Sequence, residues 1–338
     1  MIKIFLFLFL FLFKSIYSAS YPADATNRRV NVLTSLQTLN AGDYVSSSGA
    51  FQGLCWFKGG IQIAGASGLV NFANPVGVDR EIYLDTDVGL NLQKDLILSG
   101  SVRIASSGYI SCGTGSFAGS KIILTGPLQL ESSTITCSFG ALDIEGNGNI
   151  IDFSKGGKLD ITATASLYMR NCILEGMDVQ SIFWVDKGTY FFDNVVMKFT
   201  PGGYIDTTGN KSINLLGDLY ITGTTIFIMG CNLNFFNNAK LYLGSETEFR
   251  PYGSTFTINF FGNKIGGFHF NGSKINLSAL GSGKDFSINE GHVIFENEVS
   301  VYDRPTYNKK FVLGPNCSVD MLGNARVVLE DTVTFSIL

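Results

Sequence analysis

After its first fifty residues the chain never sustains an apolar pattern for long. Leu142 and Ile144 alternate with Asp143 and Glu145, and Gly146-Asn147-Gly148-Asn149 then interrupts. Alternation resumes at Leu159-Asp160-Ile161-Thr162, and again through Leu167, Met169, Cys172 and Leu174 before stopping at Gly176. Side chains on a strand point to opposite faces with period two, so each run has one apolar face and one mixed face. Runs of about four to eight residues closed by turn formers read as strands. Such short strands cannot bury an apolar face alone and are stable only when stacked on similar neighbours. The fold class is therefore expected to be all-β, a single parallel β-helix. Coils of roughly 20 to 25 residues, three short strands each, give about 11 to 13 coils over residues 51–338.

Composition agrees with this reading. Charged residues are 15%, against about 25% in ordinary domains. Glycine (39) and phenylalanine (28) fill part of the difference, glycine suiting repeated tight corners and phenylalanine a stacked interior. No stretch beyond position 40 reads as a helix of ten or more residues. No linker separates a second domain.

The ends differ from the middle. Met1 to Ser20 read as a secretory signal peptide, with Lys3 in a basic start, ten apolar residues from Ile4 to Phe13, and Ser18-Ala19-Ser20 before the cut. Ten apolar residues fall short of the ~20 that a spanning helix needs, so no transmembrane segment is expected and the protein is assigned to the cell exterior or surface. Residues 21–50 are expected to form an N-terminal cap, either irregular or a short helix through Val30, Leu33, Leu36 and Leu39. The last residues still alternate, with Val333, Phe335 and Ile337 on one side, and an open strand edge there invites self-association.

The formal charge is −4, and −6 once Lys3 and Lys14 leave with the signal peptide. Lys309-Lys310 is the closest approach to a basic cluster, so nucleic acid is not an expected partner. Six cysteines (Cys55, Cys112, Cys137, Cys172, Cys231, Cys317) lie in the exported part without metal-ligand spacing. They are read as small buried residues, with Cys112 and Cys137 the pair best placed for a disulfide. Asn210, Asn271, Asn276 and Asn316 stand in Asn-x-Ser/Thr sequons.

The alternating runs, the Gly-Asn-Gly corners and phrases such as IEGNGNIIDFSKGGKLDI resemble right-handed parallel β-helix proteins of the pectin-lyase-like superfamily. Phe191-Phe192-Asp193-Asn194 and Phe235-Phe236-Asn237-Asn238 are similar to the FxxN units of polymorphic outer-membrane proteins and related adhesin passengers. The first resemblance implies a right-handed helix and admits a polysaccharide lyase or glycoside hydrolase. The second implies a surface binder.

The residues do not assemble either chemistry. The polygalacturonase-like NTD, paired Asp, G-H-G and R-I-K segments are absent in full, Gly291-His292-Val293 lacking the second glycine. Asp85-Thr86-Asp87 is only the start of a calcium site, and its carboxylates are read as solvated. His269 and His292 stand in no catalytic spacing, and His269, between Phe268 and Phe270, is expected to be exposed. No catalytic, cofactor-binding or metal residue and no cofactor is assigned. The expected function is a non-enzymatic, adhesin-like or structural β-helix binding a polysaccharide or host-surface ligand. The alternatives are a lyase or hydrolase of the same superfamily and a self-assembling extracellular filament.

Overall fold

In the computed structural model, which describes residues 32–33, 37–40, 44–45, 55–64, 68–72, 75–84, 88–92, 95–105, 109–112, 120–137, 140–178, 188–262, 265–304, 308–330 and 332–338, every regular element is a strand. The strands stack in parallel as a β-solenoid of at least ten turns. Each turn contributes to three faces. Face A carries Gly140–Glu145, the first halves of Ala165–Met177 and Thr189–Phe199, then Ser212–Leu215, Asn232–Phe236 and Ile258–Phe261. Face B carries Leu128–Glu131, Ile150–Lys155, the second halves of the same two long strands, then Leu219–Thr222, Lys240–Leu243 and Gly267–Asn271. Face C is a separate six-stranded sheet as far as Lys158–Ile161. It is rebuilt later from Gly203–Asp206, Thr225–Met229, Thr247–Pro251 and Lys274–Asn276.

The register sets the climb per turn. Phe192, Leu215, Phe235 and Phe260 stand one above the other, 23, 20 and 25 residues apart, which matches the coil length expected from the sequence. The turn from face A to face B recurs as an inward residue, an outward residue, then asparagine or glycine. The sequences are Met169-Arg170-Asn171, Phe192-Asp193-Asn194, Leu215-Leu216-Gly217, Phe235-Phe236-Asn237 and Phe260-Phe261-Gly262. Asn171, Asn194 and Asn237 have φ of 50°, 56° and 54° there, a left-handed conformation that asparagine tolerates. At Gly217 the constraint is space, because a Cβ would lie 2.3 Å from Asp193 Oδ1. The two FxxN units both lie at this corner but in different frames, Phe191 facing outward and Phe235 inward.

Among the described residues the interior is aliphatic between Val76 and Ile151 (Leu96, Leu98, Ile122, Leu124, Leu142 and Ile144 are all fully buried) and aromatic later. Phe268 and Phe270 lie parallel at 5.5 Å, Phe270 and Phe295 at 5.7 Å, and Phe249 meets Phe286 at 5.5 Å. Cys137, Cys172 and Cys231 are buried among these residues, as expected. Burial pushes the Cys172 thiol up to about 12 and the Cys231 thiol up to about 11. By register Cys112 follows Ser111 and Cys137 follows its partner Thr136, so the two fall on adjacent turns of face C.

Three expectations change. The helix through Val30 to Leu39 is replaced by strands Val32–Leu33 and Gln37–Asn40, which pair with Cys55–Phe57 and Ile61–Ala64. A spacing of three also fits two short strands, and pairing to the next coil selects that option. Coil structure therefore begins well before residue 51. Ile150–Lys155 is a strand of its own, hidden in sequence by its closeness to the Gly146–Asn149 corner. Phe286–Tyr302 and Lys310–Leu329 run through their corners as single strands, where the sequence suggests separate pieces. Lys309 is buried, its ammonium donating to the carbonyls of Gly281 (2.6 Å) and Lys284 (3.0 Å), so Lys309-Lys310 presents no basic patch. The signal-peptide segment 1–20, Asp85 and Asp87 lie outside the described residues.

Phe249→Ala empties a position in the aromatic stack and is expected to cost about 3–5 kcal/mol. Phe261→Ala removes a 46% exposed ring that, among the described residues, stacks only on Phe236 and should cost about 0.5–1.5 kcal/mol. Denaturant midpoints of the two variants check the difference, and equal losses would contradict the assignment of interior and exterior.

Candidate functional site on the outer side of face A

Parallel stacking places every outward side chain directly over its counterpart one turn earlier. On face A this builds one continuous file, Lys121, Asp143, Tyr168, Phe191, Asn214, Asn234 and Asn259, each in register with the next. Six steps of ~4.8 Å make a flank about 29 Å long.

The file has three chemical sections. At one end Asp143 Oδ2 meets Arg170 Nη2 at 3.4 Å and Lys121 Nζ at 3.8 Å. Asp143 Oδ1 and Arg170 Nε are buried without a hydrogen-bond partner among the described residues. Burial raises the Asp143 carboxyl above the ordinary carboxylate value, and the two cations only partly offset this. The Arg170 guanidinium also lies over the Tyr168 ring, 5.7 Å from its centroid. In the middle, Tyr168 and Phe191 stack at 4.2 Å with an interplanar angle of 4°. Beyond them the amides form a chain: Asn214 Nδ2 donates to the Tyr190 carbonyl (3.1 Å), Asn234 Nδ2 to Asn214 Oδ1 (2.8 Å) and Asn259 Nδ2 to Asn234 Oδ1 (2.8 Å).

Other outer groups are committed to their neighbours. Glu145 accepts from the Asn147 backbone N–H (3.1 Å) and from Asn171 Nδ2 (3.1 Å), so it serves the corner. On face C, Glu248 accepts from Asn276 Nδ2 (2.8 Å) and Arg250 Nε (2.9 Å). Burial alone would raise Glu248, but hydrogen bonds from Asn276, Arg250 and Tyr302 outweigh it and hold the carboxyl below its ordinary value. Glu248 is a satisfied structural carboxylate. Asp143 is not.

On face B, Tyr220 and Tyr242 stack at 4.1 Å, with His269 a further 4.9 Å along. His269 does point away from Phe268 and Phe270, but its side chain is only 12% exposed, because Tyr242 covers it and Glu296 Oε2 lies 2.9 Å from its Nε2. His292 pairs with Asp320 at 2.8 Å. These partners come from the following turn, which no local spacing reveals. Asp218, whose carboxylate accepts from the Lys240 backbone N–H (3.0 Å) and the Tyr220 hydroxyl (3.3 Å), borders an open groove of about 560 Å³ at the corner between faces A and B.

No family model, curated protein or solved structure matches the chain. Among the described residues no group of three or more His, Cys, Asp or Glu is placed to share a metal ion, and no helix is long and apolar enough to cross a membrane.

A carboxyl with a raised folded pKa favours the fold when protonated, and that contribution fades as pH rises through the folded value. Asp143→Asn is therefore expected to flatten the stability curve from pH ~4 upward. Thermal unfolding of both proteins across that window checks this, and an unchanged curve would contradict the assignment.

Proposed function

We propose that this chain is an exported, non-enzymatic β-solenoid of the cell surface or extracellular space, binding an extended polymeric ligand along face A. The observation that carries the reading is the unbroken register from Lys121 to Asn259. A flank of charged, aromatic and amide groups repeating at one turn suits a ligand that itself repeats, such as a polysaccharide. The export half rests on the Met1 to Ser20 segment.

A second reading, an enzyme acting on an acidic polysaccharide as in the pectin-lyase-like superfamily, is favoured by one observation: Asp143 with Arg170 and Lys121 beside it. Two cations would receive a uronate carboxylate, and a carboxyl with a raised pKa suits proton transfer. Hydrolysis asks for a second carboxylate across the scissile bond, and Glu145, two residues along the strand, is occupied in the corner. Binding is therefore the better supported reading.

The test is a screen of neutral and acidic polysaccharides with the full chain, reading co-sedimentation and the release of reducing or unsaturated ends. Binding without new ends, weakened at least tenfold in Tyr168→Ala and Asn234→Ala, is the expected result. New ends that disappear in Asp143→Asn would establish the enzymatic reading instead, and neither binding nor cleavage would overturn both.

A further inference from the structure

The four sequons are alike in sequence and unlike in the fold. Asn276 is 8% exposed, its Nδ2 donates to Glu248 and its Oδ1 accepts from the Ser278 backbone N–H at 3.0 Å. A sugar on that nitrogen would displace the bonds that hold Glu248. Asn210 is also 8% exposed, within a turn closed by its own N–H on the Thr207 carbonyl at 3.2 Å. Asn271 is half-buried and accepts from Asn297 Nδ2 at 2.7 Å across a corner. Asn316 differs from all three. It is exposed, it follows an exposed Pro315, and the sequon hydroxyl, Ser318, is exposed as well. Cys317 between them turns inward, its Sγ 2.9 Å from the Ile288 carbonyl, so Asn316 and Ser318 share the outer side of the strand.

We infer that Asn316 is an N-glycosylation site, an inference that rests on the export half of the proposed function. In the transfer, Asn316 Nδ2 forms a bond to C1 of a sugar carried on a polyprenyl pyrophosphate. The C1–oxygen bond breaks, the lipid pyrophosphate leaves with the electron pair, and the amide proton passes to a base of the transferase. Transfer precedes folding, so the structure selects by compatibility: a glycan at Asn316 leaves every interior contact in place, whereas one at Asn276 or Asn210 must be accommodated inside. The glycan also has a consequence. Strand Lys310–Leu329 is paired on its later side only at Lys310 to Leu313 among the described residues; Asn316 stands just past the last pair, and Met321 and Leu322, 49% and 41% exposed, follow five and six residues further along. A hydrated glycan there shields an edge open to pairing with another chain.

The experiment expresses the full chain in a eukaryotic secretory line, once with its own N-terminus and once with a substituted signal peptide. Glycans are removed enzymatically in heavy-oxygen water, and the sequon peptides are read by mass spectrometry. Asn316 is expected to be converted to labelled aspartate in most secreted molecules, and Asn316→Gln to lose the mobility shift while keeping the melting temperature. Secreted protein unmodified at Asn316, or folded secreted protein carrying its glycan at Asn210 or Asn276 instead, would overturn the inference. Secretion only with the substituted signal peptide would count against the export reading, while occupancy of Asn316 in that material still decides the site.

Discussion

Everything in this molecule depends on parallel strands held in register from one turn to the next. Once Asp143 pairs with Tyr168 and Tyr168 with Phe191, side chains have no choice of neighbour: each sits over the one a turn earlier, about 4.8 Å away. Like therefore gathers with like. Phenylalanines collect inside around Phe249, Phe268 and Phe286, asparagines join by their amides at 214, 234 and 259, and tyrosines stack at 220 and 242. Two buried threonine hydroxyls follow the same logic, Thr225 donating to the Gly203 carbonyl (2.9 Å) and Thr207 to that of Ile228 (3.0 Å), each reaching a neighbouring turn.

The same register explains why Glu248 is structural and Asp143 is not. Glu248 finds Asn276 on the next turn and Arg250 two residues along its own strand, and its proton affinity falls. Asp143 meets cations only at one oxygen, and burial decides the direction of its shift. A surface triplet such as Glu81, Arg103 and Glu131 is held at 2.8 and 3.0 Å by neighbouring turns, yet it is open to water and contributes little to stability.

Alternation and corner residues were enough to read the solenoid, because period two and turn chemistry are local properties. The strands at Val32–Leu33 and Gln37–Asn40 were not legible, since a spacing of three is ambiguous until a following coil is present to pair with them. The file on face A was hidden for a related reason. Lys121, Asp143 and Tyr168 are a turn apart, and turns of 20 to 25 residues vary too much for a fixed spacing to align them. The corner signal was in the sequence all along, as an inward residue followed two positions later by asparagine or glycine, but its phase against the faces emerges only from the pairing. His269 shows the converse, its outward direction legible and its cover by Tyr242 and Glu296 not.

Zero-length carbodiimide coupling tests the register most directly, because it joins only an amine and a carboxylate already in contact. Lys198 Nζ lies 2.7 Å from Glu175 Oε1 and Lys121 Nζ 3.8 Å from Asp143 Oδ2, pairs 23 and 22 residues apart. Peptide mapping of the coupled protein should recover Lys198–Glu175 as a major link, Lys121–Asp143 as a weaker one, and lose both in denaturant. Links confined to residues adjacent in sequence, or joining other turns in place of these, would contradict the stacked solenoid.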